Sequence, residues 1–415
     1  MPYIVYLAMH KEQRIIQVFE YQTLYKAQHY DGVKFEERHF DALLELNELH
    51  EGKYFTIVYN GVKFNSYVGV IQIEDLILEI LPKIEGKTLE KNKWRDVLIQ
   101  MLLVTHQLGV HQVGNAQVDK QNIHLLDIYF DWFLSEVNLL LRQGLIKQYH
   151  TQTKNTLALK GKIEFAGHIR KNIVHQERFY TTHQIYDQDH LIHQLMALAL
   201  EIIANLSKGS YRYGTCKATR LNFPDVKAID ADEHVFKRLK KSRKTEPYQT
   251  VLALSRLIIL NYSPNVKAGA ENMLALLFDM NMLWEQYILI KLQQQAKGWI
   301  IRGQESKKFW ESKSIRPDIV LTNGEDAKFI IDTKWKNYSF DSLSSHDLRQ
   351  IYVYNDFWDA KVGMLLFPSR HLTKIAVTGI YARNQYIGKI GLVNVLDGDG
   401  NLNRNLGEEI INLLL

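Results

Sequence analysis

The chain has 415 residues, 46% hydrophobic and 23% charged, a globular composition that excludes wholesale disorder, collagen and coiled-coil rods and holds material for two to three domains. Lys and Arg number 51 against 46 Asp and Glu, a net charge of +5 and a mild bias toward polyanions. Cys216 is the single cysteine, which excludes a disulfide framework and any CxxC zinc site.

The N-terminus, MPYIVYLAMHKEQRIIQVFE, has no basic region ahead of a long apolar core. The richest apolar stretch, 195–206, is cut by Glu201 and falls short of the ~18–20 residues of a membrane span. The expectation is a soluble, cytoplasmic chain without a membrane partner. Residues 1–90 predict a β-rich N-terminal domain. The run from Tyr54 to Tyr59 and the run from Val62 to Val68 flank Asn60-Gly61, a strong hairpin signal. A further strand run covers 70–80 and stops at Pro82, and one helix is expected near 40–49.

From Trp94 the period changes. Trp94, Val97, Leu98, Met101 and Leu102 follow helical spacing. A mainly helical middle region over 91–268 is predicted, with helices at 125–142, 190–207 and 248–262. Gly144 ends the first of these, and the stretches 145–185 and 208–247 are less periodic. Residues 269–415 change again: a helix at 270–296, strands at 299–303, 315–321 and 328–335, a helix at 343–357 and a buried strand at 362–367. The whole reads as a multidomain α+β protein whose C-terminal α/β domain has the order α-β-β-β-α-β.

Chemistry gathers in that last domain. Arg316-Pro317-Asp318 opens one strand, and Ile330-Ile331-Asp332-Thr333-Lys334 ends the next, with an Asn323-Gly324 turn between them. Antiparallel pairing across the turn brings Asp318 close to Asp332 and Lys334. Two neighbouring carboxylates repel unless a cation lies between them. Mg²⁺ is commonly held by one or two carboxylates with waters and phosphate oxygens, and it activates a bound water for phosphodiester hydrolysis. Asp318, Asp332 and the Thr333 carbonyl are therefore candidate ligands for one or two Mg²⁺ ions. Lys334, on the same strand face as Asp332, would orient or deprotonate the water or stabilise the transition state. The plain alternative is a surface hairpin with an Asp332–Lys334 salt bridge. Three features weigh against it. The element order resembles the core of the PD-(D/E)xK nuclease superfamily. Glu285 lies on the preceding helix. Gln350 and Tyr354 form a QxxxY pair on one face of the following helix.

Six of the eight residues in 237–244 are basic: Lys237, Arg238, Lys240, Lys241, Arg243 and Lys244. They are candidate contacts to DNA phosphates or to an acidic partner surface, with a solvated loop or helix face as the alternative. Tyr211-Arg212-Tyr213 with Lys217 and Arg220 interleaves rings and cations as backbone-tracking surfaces do. The histidines of 168–193, including the His190/His193 pair, read as packing or surface residues rather than zinc ligands. There is no nucleophile elbow and no GxxxxGK[ST] motif, so no nucleotide is expected on this chain in a P-loop.

The chain resembles the McrC family, the nuclease subunits of McrBC 5-methylcytosine restriction systems. The resemblance runs through Tyr67-Val68-Gly69-Val70, Ile80-Leu81-Pro82-Lys83-Ile84, Leu159-Lys160-Gly161-Lys162-Ile163, and Asp189 with Leu195. It continues through Phe278-Asp279-Met280-Asn281 to Glu285, Arg316-Pro317-Asp318-Ile319-Val320 and Asp332-Thr333-Lys334-Trp335-Lys336. One departure is His193, where the family pattern leads to an asparagine. The resemblance implies docking on a hexameric AAA+ GTPase of the McrB kind, which hydrolyses GTP and translocates double-stranded DNA. The N-terminal portion would insert into that motor and stimulate it, the partner would read the modified base, and the C-terminal domain would cut. Two other readings stand beside it. One is a motor activator or adaptor with a weak or inactive nuclease, and the other a stand-alone DNA exonuclease, suggested by QxxxY.

Overall fold

The computed structural model describes residues 14–73, 76–84, 90–105, 125–240, 242–263, 273–324, 327–338, 344–369 and 375–415, a mixed α and β protein. It gathers into two compact units that interleave along the chain. The described part of the first comes from residues 72–73 and 126–276, and that of the second from 14–71, 76–125 and 277–415. The segments 1–90, 91–268 and 269–415 thus mark where sequence periodicity changes, while the contacts gather the chain otherwise.

The first unit is built on helices Leu125–Gln143, Leu191–Leu206, Tyr211–Asn222 and Gln249–Leu260. It is not helical throughout: Gln148–Thr156, Phe179–Asp187 and Lys162–Ile163 form a three-stranded antiparallel sheet. These strands are polar on both faces, so the hydrophobic alternation that announces a half-buried strand is missing from the sequence. Arg212 also departs from its expected surface role. It is buried, paired with Asp127 at 2.9 Å and Asp131 at 2.7 Å, and so has no phosphate to track. His193 is fully buried, its Nδ1 2.8 Å from the Gln188 carbonyl.

In the second unit, Arg14–Phe19 pairs in parallel with Leu76–Leu81, and Phe55–Val58 pairs with Gly61–Phe64. The expected hairpin forms one residue earlier than Asn-Gly suggests. Val58 pairs with Gly61, so Tyr59-Asn60 make the turn and Asn60 takes the positive φ of 52°. Gly61 is needed for another reason: a Cβ there would meet the Leu24 carbonyl oxygen of the third strand, Thr23–Tyr25.

The C-terminal part of this unit carries the candidate site. A helix α1 (Met280–Gln295) leads to strand β1 (Ile300–Gly303), a two-stranded hairpin of β2 (Lys307–Trp310) and β3 (Lys313–Ile315), and strands β4 (Ile319–Thr322) and β5 (Lys328–Thr333). Helix α2 (Ser345–Trp358) then precedes β6 (Ala360–Ser369), β7 (Ile375–Ile380) and β8 (Ile387–Asn394). The sheet order is β1-β4-β5-β6-β8-β7. Pairing is antiparallel from β1 to β5, parallel through β5, β6 and β8, and antiparallel again at β7. The helix expected over 270–296 divides. Residues 270–272 lie outside the described residues, Met273–Asp279 is a strand, and the helix starts only at Met280. Leu and Ala favour a helix in Met273–Asp279, but the Asp279 side chain accepts from the Asn281 N–H and fixes the helix start after it.

Helix α2 lies against β6 with no room to spare. A Cβ on Gly363 would stand 2.5 Å from Asn355 Oδ1 and 2.6 Å from Ile351 Cγ2. Beneath the helix, Val320, Ile330, Ile351, Tyr354, Trp358, Leu365 and Phe367 share one core. Gly363→Ala is therefore expected to push α2 off the sheet and to destabilise by roughly 1–3 kcal/mol. A lower denaturant midpoint at unchanged m-value checks this.

Candidate active site

The register that pairs Ile319 with Ile331 sets Asp318 opposite Asp332 as the ladder continues. Thr333 ties the two strand ends together: its N–H donates to Asp318 Oδ2 at 2.6 Å and its hydroxyl to the same oxygen at 2.9 Å. Thr333 thus also enters the site through its donors, beside the carbonyl to which the sequence pointed. The Lys334 N–H donates to the Leu366 carbonyl at 2.9 Å, which keeps Lys334 in the ladder and on the face of Asp332. Lys334 Nζ stands 2.6 Å from Asp332 Oδ2.

Helix α2 begins with Ser344, whose Oγ accepts from the His346 N–H at 3.1 Å. From there Asp347, Gln350 and Tyr354 come onto one face. Lys334 Nζ donates to Gln350 Oε1 at 3.3 Å, Gln350 Nε2 donates to the Tyr354 hydroxyl at 2.9 Å, and that hydroxyl donates to the Arg316 carbonyl at 3.0 Å. Gln350 and Tyr354 thus form a relay from the strand before Asp318 to the ammonium. Glu285, on α1, accepts from Gln304 Nε2 at 2.5 Å, and the Gln304 N–H donates to the Asp318 carbonyl at 2.8 Å. All seven residues that sequence reasoning placed here meet in one cluster of the second unit.

Asp332 is only 2% exposed. Burial raises its carboxyl above the usual range, and the charge of Asp318 raises it further, against the pull of Lys334. Burial also raises Asp318, offset by the two Thr333 donors. Glu285 is pushed up to about 7, first by burial and then by the charge of Asp318. Burial alone would lower the Lys334 ammonium, but Asp332, Asp347 and Asp318 outweigh it and hold its pKa up. Three carboxylates held above their usual range, with Lys334 and Arg316 the cations acting on them, form a donor set that a divalent ion fits. Among the described residues no three of His, Cys, Asp and Glu form a ready-made cage. A pair of carboxylates is nevertheless the usual protein share of a Mg²⁺ site.

Asp347 was not anticipated. Its carboxylate holds Lys336 Nζ at 2.8 Å and lies 3.9 Å from Lys334 Nζ. The i−3 spacing from Gln350 was the available signal. Of the basic stretch, Lys237, Arg238, Lys240, Arg243 and Lys244 are exposed in the first unit and take no part in the cluster, and Lys241 lies outside the described residues. His190 and His193 pack ring to ring at 4.0 Å, with no third ligand among the described residues. Burial pushes the Cys216 thiol up to about 11, which makes it a poor nucleophile.

The model of the family described as McrBC 5-methylcytosine restriction system component matches residues 62–368. The type IV methyl-directed restriction enzyme EcoKMcrBC of Escherichia coli (strain K12) is 22% identical over 319 residues, 69% of this chain and 85% of that protein. The fold resembles a chain in a half-complex of Thermococcus gammatolerans McrB AAA+ hexamers with bound McrC. The TM-score there is 0.69 at 17% identity, over 96% of this chain and all of the other. A second similar structure is the McrBC complex of the same organism, with a TM-score of 0.51 at 18% identity, over 72% of this chain and 89% of that one. Among the described residues no helix is long and apolar enough to cross a membrane.

Proposed function

Because the chain belongs to the McrC family of McrBC 5-methylcytosine restriction system components, we propose that it is the Mg²⁺-dependent DNA endonuclease subunit of a modification-dependent restriction complex. It docks on a hexameric AAA+ GTPase of the McrB kind, stimulates that motor, and cuts the double-stranded DNA the motor delivers. The nuclease is a C-terminal PD-(D/E)xK domain. The observation that carries the reading is the meeting of Asp318, Asp332 and Lys334 at adjoining strand ends, with Glu285, Gln350 and Tyr354 around them.

Asp318 and Asp332 would hold the ion together with the Thr333 carbonyl, while the Thr333 donors orient Asp318. An ion held there would lower the pKa of a coordinated water and offset charge on the phosphate. The raised pKa of Lys334 makes it a donor rather than a base. It orients the attacking water or stabilises the phosphoryl oxygens. Gln350 and Tyr354 fix its position, and Glu285, pushed up to about 7 by burial, would be available to take up a proton near neutral pH. For docking, the support is a set of large apolar side chains exposed within one stretch of the first unit, Leu157, Phe165, Ile169, Ile173 and Val174.

The test combines the chain, a McrB-type hexamer, GTP and Mg²⁺ with methylated and unmethylated duplexes. The expected result is double-strand cleavage of methylated DNA only, abolished by a chelator. Stimulated GTP hydrolysis without nicks would instead leave an adaptor, and digestion from ends without the motor an exonuclease.

A further inference from the structure

The hairpin β2–β3 has no place in the chemistry just described, yet it is fastened to that chemistry at both ends. Gln304, three residues before β2, bonds the Asp318 backbone and the Glu285 carboxylate. Arg316, the residue after β3, gives its carbonyl to Tyr354. The hairpin root is also fixed: Lys307 Nζ donates to the Phe357 carbonyl at 2.7 Å and lies over the Trp358 ring.

Beyond that root, residues 308–314 are all exposed. Trp310 is 63% exposed and Phe309 50%. Trp310 pairs with Lys313 across the hairpin, and Lys308 pairs with Ser314. The segment 307–316 holds Lys307, Lys308, Lys313 and Arg316 against the single acid Glu311. The Phe309 ring rests on Phe357 with centroids 5.4 Å apart, which leaves Trp310 as the ring turned to water, and the cations beside it favour an anionic partner. A register shift lies between Lys308 and Trp310, an irregularity of the kind that bends and twists a hairpin.

We infer that the β2–β3 hairpin is an arm that grips duplex DNA beside the scissile phosphate, with Lys308 and Lys313 on backbone phosphates and Trp310 wedged in a groove. Cations that neutralise phosphates supply affinity and its salt dependence. An aromatic wedge at a groove adds contact that is independent of sequence. Such an arm suits an enzyme whose site selection belongs to a partner. The inference deepens the proposed DNA cleavage and rests on it.

The test uses the full chain with its AAA+ partner, in the cleavage-deficient Lys334→Ala background. Binding of a fluorescein-labelled duplex is followed by anisotropy over a range of salt concentrations. Trp310→Ala is expected to weaken binding about tenfold, with Trp310→Phe restoring most of it. Lys308→Ala with Lys313→Ala is expected to lower the log–log salt slope by about two. Unchanged affinity and slope in both variants overturn the inference. So does a loss of GTPase stimulation at unchanged affinity, which would make the hairpin a motor contact. If the hairpin variants lose DNA and the unsubstituted Lys334 chain still cuts nothing, the arm stands and the nuclease reading falls.

Discussion

Lys334→Ala is expected to lower DNA cleavage by the assembled complex on the order of 10²–10³-fold, the usual contribution of one positioned donor that stabilises developing charge. GTP hydrolysis by the motor should continue to be stimulated, because the partners of the Lys334 ammonium among the described residues, Asp332, Asp347 and Gln350, all lie within its own unit. The substitution also removes the nearest counter-charge from a buried carboxylate. Asp332 should then take up a proton more readily, and the residual activity should require higher pH than the parent. Undiminished cutting by this variant would end the assignment of the site. Lys334→Arg is the informative companion. It keeps the charge, but a planar fork does not fit where a compact ammonium reaches Asp332 and Gln350 together.

The second large effect concerns stability. Glu20 is 1% exposed, and its Oε1 accepts from both Trp335 Nε1 and the Lys83 N–H at 2.7 Å. Burial, with the charge of Asp279 adding to it, raises its carboxyl from 4.5 to about 7. The sign follows from linkage: stability tied to the protonated form is complete below the unfolded value near 4.5 and is lost as pH rises through about 7. Glu20→Gln abolishes that loss, since an amide oxygen can accept the same two donors without ever ionising. Any fixed offset from the new amide nitrogen cancels between two pH values. The stability difference between variant and parent should therefore shift by about 2–3 kcal/mol toward the variant from pH 5 to pH 8. Parallel denaturant titrations at the two pH values read it directly. A difference that stays flat would show that Glu20 is ionised throughout.

The central acids were legible because strand pairing is a local rule. A short turn between two apolar runs fixes which side chains face each other, so Asp318, Asp332 and Lys334 could be brought together from spacing alone. Gln350 and Tyr354 were legible by helical spacing, and Asp347 was available by the same rule. The hairpin β2–β3 was not legible, because KKFWESKSI has no alternation of apolar and polar residues and buries little. Nor was the Glu20–Trp335 bond, which joins residues 315 positions apart and leaves no periodic trace. Met273–Asp279 misled by composition: a buried strand of Leu and Ala has the residue preferences of a helix.

The interleaving of the second unit bears on how the protein comes into being. A ribosome makes residues 14–125 early and must then thread out some 150 more before the stretch from Leu277 onward can join them. Until then Glu20 has no indole to hold, and Lys334 and its acids have not been synthesised. Folding of the second unit therefore waits for its C-terminal stretch, and a fragment starting near residue 277 would expose the Trp335 side that the early segment normally covers.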